Sequence, residues 1–243
     1  MRSTSAIILS VAFMAALSNA WDNTPPFPER VVGLGEGSGK KGIEIELHYD
    51  LMCEISAALH PDFATFLDTP FLDGKVRDFI SVRYVFQPLP YHHATYITHK
   101  ILPYIIDECL AKPDSCQYIN YMNFCFNNQD EVLGSTNLTY NQIMQNWTAK
   151  VSKQYGYPQK DLIDLFDWDT DNNNTEMRTR YMWKYSTFKG VASTPSAFVN
   201  GVLVQIYPGS PDDWVQLLTD VLSGQTPQAL SSSRGQKTMS FLQ

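Results

Sequence analysis

The chain contains no Cys-x-x-Cys pair. Its 243 residues carry four cysteines, Cys53, Cys109, Cys116 and Cys125, and none stands three residues from another. A dithiol that closes a disulfide on itself within one helical turn is therefore excluded. No Cys/His spacing matches a zinc site, so no metal is expected. No internal repeat is visible. Long apolar runs are also missing: the stretch 6–17 is shorter than the roughly 20 residues that span a bilayer, so no stable membrane insertion is expected. Basic residues are outnumbered, 18 Lys and Arg against 25 Asp and Glu, a net charge of −7. That balance argues against nucleic acid and anionic membranes as partners. The final residues, Phe241-Leu242-Gln243, are not an ER-retention signal.

Arg2, the short apolar stretch after it and small residues at Ser18-Asn19-Ala20 form the pattern of a cleaved signal peptide over 1–20; the rival reading is an uncleaved anchor. The expected location is the secretory-pathway lumen or the extracellular space. Three sequons, at Asn137, Asn146 and Asn173, agree with lumenal exposure and predict glycosylation on a surface stretch from 137 to 175. About 220 mature residues suit one large domain, or one domain with a sizeable insertion.

Residues 21–42 read as a proline-rich, then glycine-rich, flexible lead-in. Ile43 to Tyr49 alternates apolar and polar residues and predicts a strand. Cys53 to Leu67 has helical spacing, and Phe79 to Gln87 is rich in β-branched and aromatic residues, a second strand. Helices are expected over 95–110, 115–128, 140–155, 160–166 and 175–188. A hairpin about Asn200-Gly201 follows, then a helix over 211–222. The Ser/Gln-rich tail 225–243 reads as disordered.

Cys53 falls where the first strand runs into the first helix. A thiol at a helix N-terminus lies in the field of unpaired backbone N–H groups, which favours the nucleophilic thiolate. Met52, Ile55, Leu59, Phe63 and Phe66 recur at helical steps as a core stripe, which turns Cys53 away from the core beside Ser56, Ala57 and His60. His60 is expected to be a solvated surface residue or, if close, an aid to thiolate formation. Asp50 has two readings: a buried acid that takes the thiol proton, or a helix cap. Cys109 and Cys116 flank Lys112-Pro113 symmetrically, at the bend of a helical hairpin. They are the expected disulfide, with Cys53 paired to Cys125 as the rival connectivity. Cys125, between Phe124 and Phe126, reads as core.

Three local patterns then resemble one family. Tyr49-Asp50-Leu51-Met52-Cys53-Glu54-Ile55-Ser56 is similar to Phe-Asp-Leu-Val-Cys-Pro-Asp-Ser. Phe86-Gln87-Pro88-Leu89-Pro90-Tyr91-His92 is similar to Phe-Pro-Leu-Pro-Tyr-His, and Gly190 to Gly201 to Gly-Thr-Pro-x-Phe-Phe-Val-Asn-Gly. The chain resembles the DsbA-like branch of the thioredoxin superfamily, and within it secreted eukaryotic members with a Cys-x-x-Ser site. The resemblance implies an α/β thioredoxin-like fold over 43–224, strand–helix–strand then hairpin–helix, with a helical insertion at about 92–189. It also implies a cis Thr194-Pro195 bond beside Cys53, where the Thr194 backbone would pair with an extended peptide; the plainer reading is a trans proline opening a strand. His92 would be brought towards that face.

Departures from the family's disulfide-forming members fall at Glu54, in place of proline, and at Ser56, in place of the resolving cysteine. Three functions follow as expectations. The first is a monothiol thiol-disulfide oxidoreductase or isomerase, acting on peptide or protein disulfides through Cys53, with no cofactor but with glutathione as a possible co-substrate. The second is a peptide-binding module that has lost redox turnover. The third is a glutathione transferase of the kappa type, in which Ser56 would activate the glutathione thiol.

Overall fold

The structure, a computed structural model, describes residues 32–224. The signal peptide expected over 1–20, the first part of the lead-in and the tail from 225 lie outside the described residues. The remainder of the lead-in corrects an expectation: Leu34–Gly37 is an edge strand, β1. The glycines that read as flexible chain instead permit close approach. A Cβ at Gly33 would lie 2.2 Å from the Tyr84 carbonyl oxygen, and one at Gly37 2.3 Å from that of Ile80; both glycines have positive φ.

Strand β2 (Ile43–Tyr49) leads through a turn into α1 (Glu54–Asp68), as the periodicity predicts. A two-residue hairpin, β3 (Pro70–Phe71) and β4 (Gly74–Lys75), precedes β5 (Ile80–Phe86). The insertion follows as α2 (Thr95–Lys100), α3 (Leu102–Ala111), α4 (Tyr118–Phe126), α5 (Gln129–Leu133), α6 (Tyr140–Tyr155), α7 (Gln159–Asp164) and α8 (Thr175–Phe188). The single helix expected over 95–110 is two, broken at Ile101, because Pro103 has no N–H to give the carbonyl of His99. Strands β6 (Ser196–Val199) and β7 (Val202–Leu203) flank Asn200-Gly201, and α9 (Pro211–Ser223) closes the domain.

The five-stranded sheet has the order β1-β5-β2-β6-β7. Parallel pairing of β2 with β5 runs from Ile43↔Ile80 to Tyr49↔Phe86. β6 lies antiparallel on the other side of β2, from Ile45↔Val199 to His48↔Ser196. This is the expected thioredoxin-like α/β fold with a helical insertion.

The two faces of β2 differ in chemistry. Ile43, Ile45, Leu47 and Tyr49 are buried on one face, towards α1 and α9, whose rings interlock: Phe63 and Trp214 stand 4.8 Å apart at 71°. On the other face Glu46 is buried, 2% exposed, and is held by His48, Arg83, Tyr185 and Lys189. Burial alone would raise the Glu46 pKa. Hydrogen bonds from His48, Lys189 and Tyr185 and the charge of Arg83 outweigh it and lower the value to about 2. Ser186, His48 and Glu46 line up at 2.8 and 2.6 Å, the order of a hydrolytic relay. Ser186 and His48 are fully enclosed, so the relay has no room for a substrate; it fastens α8 to the sheet.

Helix α1 corrects the expected phase. Its buried residues are Ser56, His60, Phe63, Phe66 and Leu67, with Ile55 and Leu59 half-buried. The stripe read from apolar residues alone missed this because the insertion covers a second side of the helix, where polar residues sit. His60 is not solvated: it is 4% exposed, caged by Tyr49, Tyr84 and Phe126. Burial drives its pKa down to about 4. The unfolded chain therefore binds one more proton than the folded chain between pH 6.5 and 4, and folding stability falls as pH drops through that window. Urea unfolding at pH 7 and pH 4.5 should show that His60→Phe loses about 2 kcal/mol less over this interval than the parent. Equal losses would contradict a neutral, buried His60.

Candidate functional site

The end of β2 delivers Asp50 into the interior, and the turn that follows is built on its carboxylate. The Met52 N–H donates to Oδ1 at 2.8 Å and the Thr95 hydroxyl at 2.5 Å; the Leu89 N–H donates to Oδ2 at 2.8 Å and His92 Nδ1 at 2.7 Å. Asp50 is 0% exposed. Burial raises its pKa, but the His92 hydrogen bond and the Thr95 and Met52 donors reverse the effect, and the net shift is downward. A carboxylate so stabilised is a poor proton acceptor. The cap reading also needs correction, since Asp50 does not cap α1; Cys53 does.

Cys53 has extended backbone at φ −81 and ψ 116, and its sulfur accepts from the Ser56 N–H at 3.5 Å. The thiol donates to the Thr194 carbonyl at 3.2 Å. The Thr194-Pro195 peptide is cis, so the carbonyl and the proline of one loop lie against the helix start. The helical phase placed Cys53 away from the core, whereas the residue is 5% exposed, because this loop covers it.

The expected site residues separate into two groups. Cys53, Thr194, Pro195, Asp50 and His92 come together. Ser56 joins them only through its backbone N–H on the Cys53 sulfur, and His60 does not join them: both side chains are buried, and among the described residues the Ser56 hydroxyl and His60 Nδ1 have no hydrogen-bond partner. Three residues that the sequence did not mark complete the frame. His99, fully buried, accepts from the Leu51 N–H through Nε2 at 3.3 Å and donates through Nδ1 to the Thr95 carbonyl at 2.9 Å; burial lowers its pKa. Gln129, on α5, donates through Nε2 to the carbonyls of Leu51 and Cys53, both at 3.0 Å. Gln87 donates to the Val191 carbonyl at 3.0 Å and so holds the approach to the cis-proline loop. A lone glutamine or a histidine on an apolar helix gives no pattern that would have revealed them.

No protein-family model matches the chain, and no curated protein does. Solved structures do. The thiol-disulfide exchange protein alpha-DsbA2 from Wolbachia pipientis is similar over 93% of this chain and 100% of its own, at 15% identity and a TM-score of 0.52. Alpha-DsbA1 from the same organism, with two cysteines replaced by alanine, is similar over 80% of this chain and 94% of its own, at 14% identity and a TM-score of 0.57. Oxidised BdbD from Bacillus subtilis covers 81% of this chain and all of its own, at 13% identity and a TM-score of 0.50. At these identities the likeness is one of fold.

A cleft of about 440 Å³ opens next to His92, between the Pro88–Thr95 segment and α8, with Pro90, Tyr96 and Trp183 among its walls. Tyr91, 67% exposed, packs its ring on His92 at 4.8 Å; partial burial and the nearby Cys53 and Asp50 push its phenol up. Cys109 and Cys116 form a disulfide, while Cys53 and Cys125 are free thiols. Full burial pushes the Cys125 thiol far up, which makes it inert. Asn137 and Asn146 are exposed; Asn173 is half-buried, its amide donating to Asp107 at 2.8 Å. Among the described residues no group of three or more His, Cys, Asp or Glu is placed to hold a metal ion, and no helix is long and apolar enough to cross a membrane.

Asp50→Ala would leave Met52, Leu89, Thr95 and His92 donating to nothing in a buried space. We expect it to lower stability by about 3–5 kcal/mol, as breaking a buried ionic pair does, measured by urea unfolding at pH 7. A loss under about 1 kcal/mol, the scale of one exposed pair, would show that the turn does not depend on this carboxylate.

Proposed function

We propose that the protein is a monothiol thiol-disulfide exchange protein of the secretory pathway, acting through Cys53 on extended peptide segments. The observation that carries this reading is the Cys53 thiol at the start of α1, hydrogen-bonded to the carbonyl of a cis Thr194-Pro195 bond. An incoming chain that pairs with the Thr194 backbone would take the thiol's place on that carbonyl and set its own disulfide beside the sulfur. The cleft next to His92 offers apolar walls for neighbouring side chains.

In the exchange, the Cys53 thiolate attacks one sulfur of the substrate disulfide. That S–S bond breaks, a Cys53–substrate disulfide forms, and the second substrate sulfur leaves as a thiolate that takes up a proton. Ser56 supplies no sulfur, and Cys125 is buried with its thiol protonated. Release therefore needs an outside thiolate. When another cysteine of the substrate attacks, the net result is isomerisation; when glutathione attacks the substrate sulfur, the substrate leaves as a glutathione mixed disulfide. In either case Cys53 returns to the thiol. The sequons and the N-terminal segment support a lumenal, glycosylated protein.

A binding module without turnover is the second reading, favoured by the absence of a resolving thiol and by the low exposure of Cys53. Ser56, fully buried, is poorly placed to meet a glutathione sulfur, which weighs against the transferase.

Native mass spectrometry after exposure to oxidised glutathione separates the readings. The full chain should gain one glutathione on Cys53 and keep it, with Cys125 unmodified. Ser56→Cys should lose the adduct by forming a Cys-x-x-Cys disulfide and releasing glutathione. A native chain that gains no adduct, while the urea-unfolded chain does, would leave the binding module.

A further inference from the structure

Helix α4 carries no charged residue. Tyr118, Met122 and Cys125 turn inward, and on the opposite side the helical repeat of three and four residues lines up amides. Gln117, Asn120, Asn123, Asn127 and Asn128, with Gln154 near the end of α6, line a cleft of about 340 Å³. Its other walls are Phe124 and Tyr155, rings 5.7 Å apart at 73°. No carboxylate, ammonium or guanidinium group is among the lining residues, on a chain whose net charge is −7. Lys150 lies beside the cleft: its ammonium bonds to the side chains of Asn128 and Glu131, which neutralises it, and sits 5.7 Å from the centre of the Phe124 ring.

Part of this amide row is already set in place. The Asn120 amide donates to Gln117 Oε1 at 2.9 Å, Gln117 donates to the Ser115 carbonyl at 3.1 Å, and Asn128 to the Phe124 carbonyl at 2.7 Å. Asn123, Asn127 and Gln154 make no side-chain hydrogen bond among the described residues, and all three are exposed.

We propose that this cleft binds a neutral saccharide. Each amide presents a donor and an acceptor on one rigid plane, which matches a pair of adjacent hydroxyls, each itself donor and acceptor. The absence of ionic groups selects against charged ligands, whose desolvation nothing here would offset. The rings of Phe124 and Tyr155, set at 73° to each other, form an apolar corner that can take the C–H face of a pyranose. An extended peptide would need apolar pockets for alternate side chains, and beyond the two rings every wall is an amide. The site is separate from Cys53 and independent of the exchange chemistry.

Titration of the ¹⁵N-labelled full chain with maltotriose, chitotriose and methyl α-mannoside tests this, read on side-chain NH₂ signals. At least one sugar should shift the signals of Asn123, Asn127 and Gln154 saturably, with a dissociation constant on the order of millimolar. The exposed double variant Asn123→Ala/Asn127→Ala should fold normally, by its backbone amide spectrum, and bind about tenfold more weakly, the loss of one or two hydrogen bonds. The proposal is overturned if none of the sugars gives a saturable shift, if the double variant binds as well as the parent, or if an unglycosylated peptide saturates these signals where the sugars do not.

Discussion

A single buried carboxylate sets the geometry on which the site depends. Asp50 gathers four donors from three places: its own turn through Met52, the segment after β5 through Leu89 and His92, and the first inserted helix through Thr95. An anion in a site with no exposure is tolerated only when its lone pairs are filled, and here each oxygen receives two donors. The same bonds fix where β2 ends, where α1 begins and how the insertion leaves the sheet. Cys53 inherits its position from this arrangement. Gln129 adds a second clamp from the far side, on the carbonyls either side of Met52. The thiol thus stands at the meeting point of the sheet, the helix start and the inserted helices.

The other partner of the thiol, the Thr194 carbonyl, is positioned by a different set of forces. β6 pairs directly with β2, the strand that ends at Asp50. Upstream of the loop, α8 is fastened to the sheet by Tyr185 and Ser186, and Lys189 just beyond it extends the hold; all three reach Glu46 or His48. Burying that much charge is costly unless every group is paired, and Glu46 is held by four partners. Apolar packing on one face of β2 and ionic pairing on the other therefore converge on one loop and one turn.

Local signals in the sequence were sufficient for β2, α1, β5, α6 and α8, and for the Asn200-Gly201 hairpin. They misled where tertiary contacts decide. The stripe on α1 was drawn from apolar residues, but Ser56 and His60 are buried too, because the insertion covers them. The glycines near β1 read as flexible chain, and only the partner strand shows that their missing Cβ atoms make room for carbonyls of β5. The junction that carries Cys53 and Asp50 was legible because the passage from strand to helix is local. The roles of Thr95, His99 and Gln129 were not, since each contributes a single group across a long stretch of chain. Asp50 itself was read as a proton acceptor or a cap; its four donors make it a fixed anion instead.

The most direct measurement is the titration of the Asp50 side-chain carboxyl carbon by ¹³C NMR in the folded full chain. The signal is expected to remain that of a carboxylate below the ordinary aspartate range. Titration at or above about 3.9, the value of an unperturbed aspartate, would show that the four donors do not hold an anion, and the frame around Cys53 would need another origin.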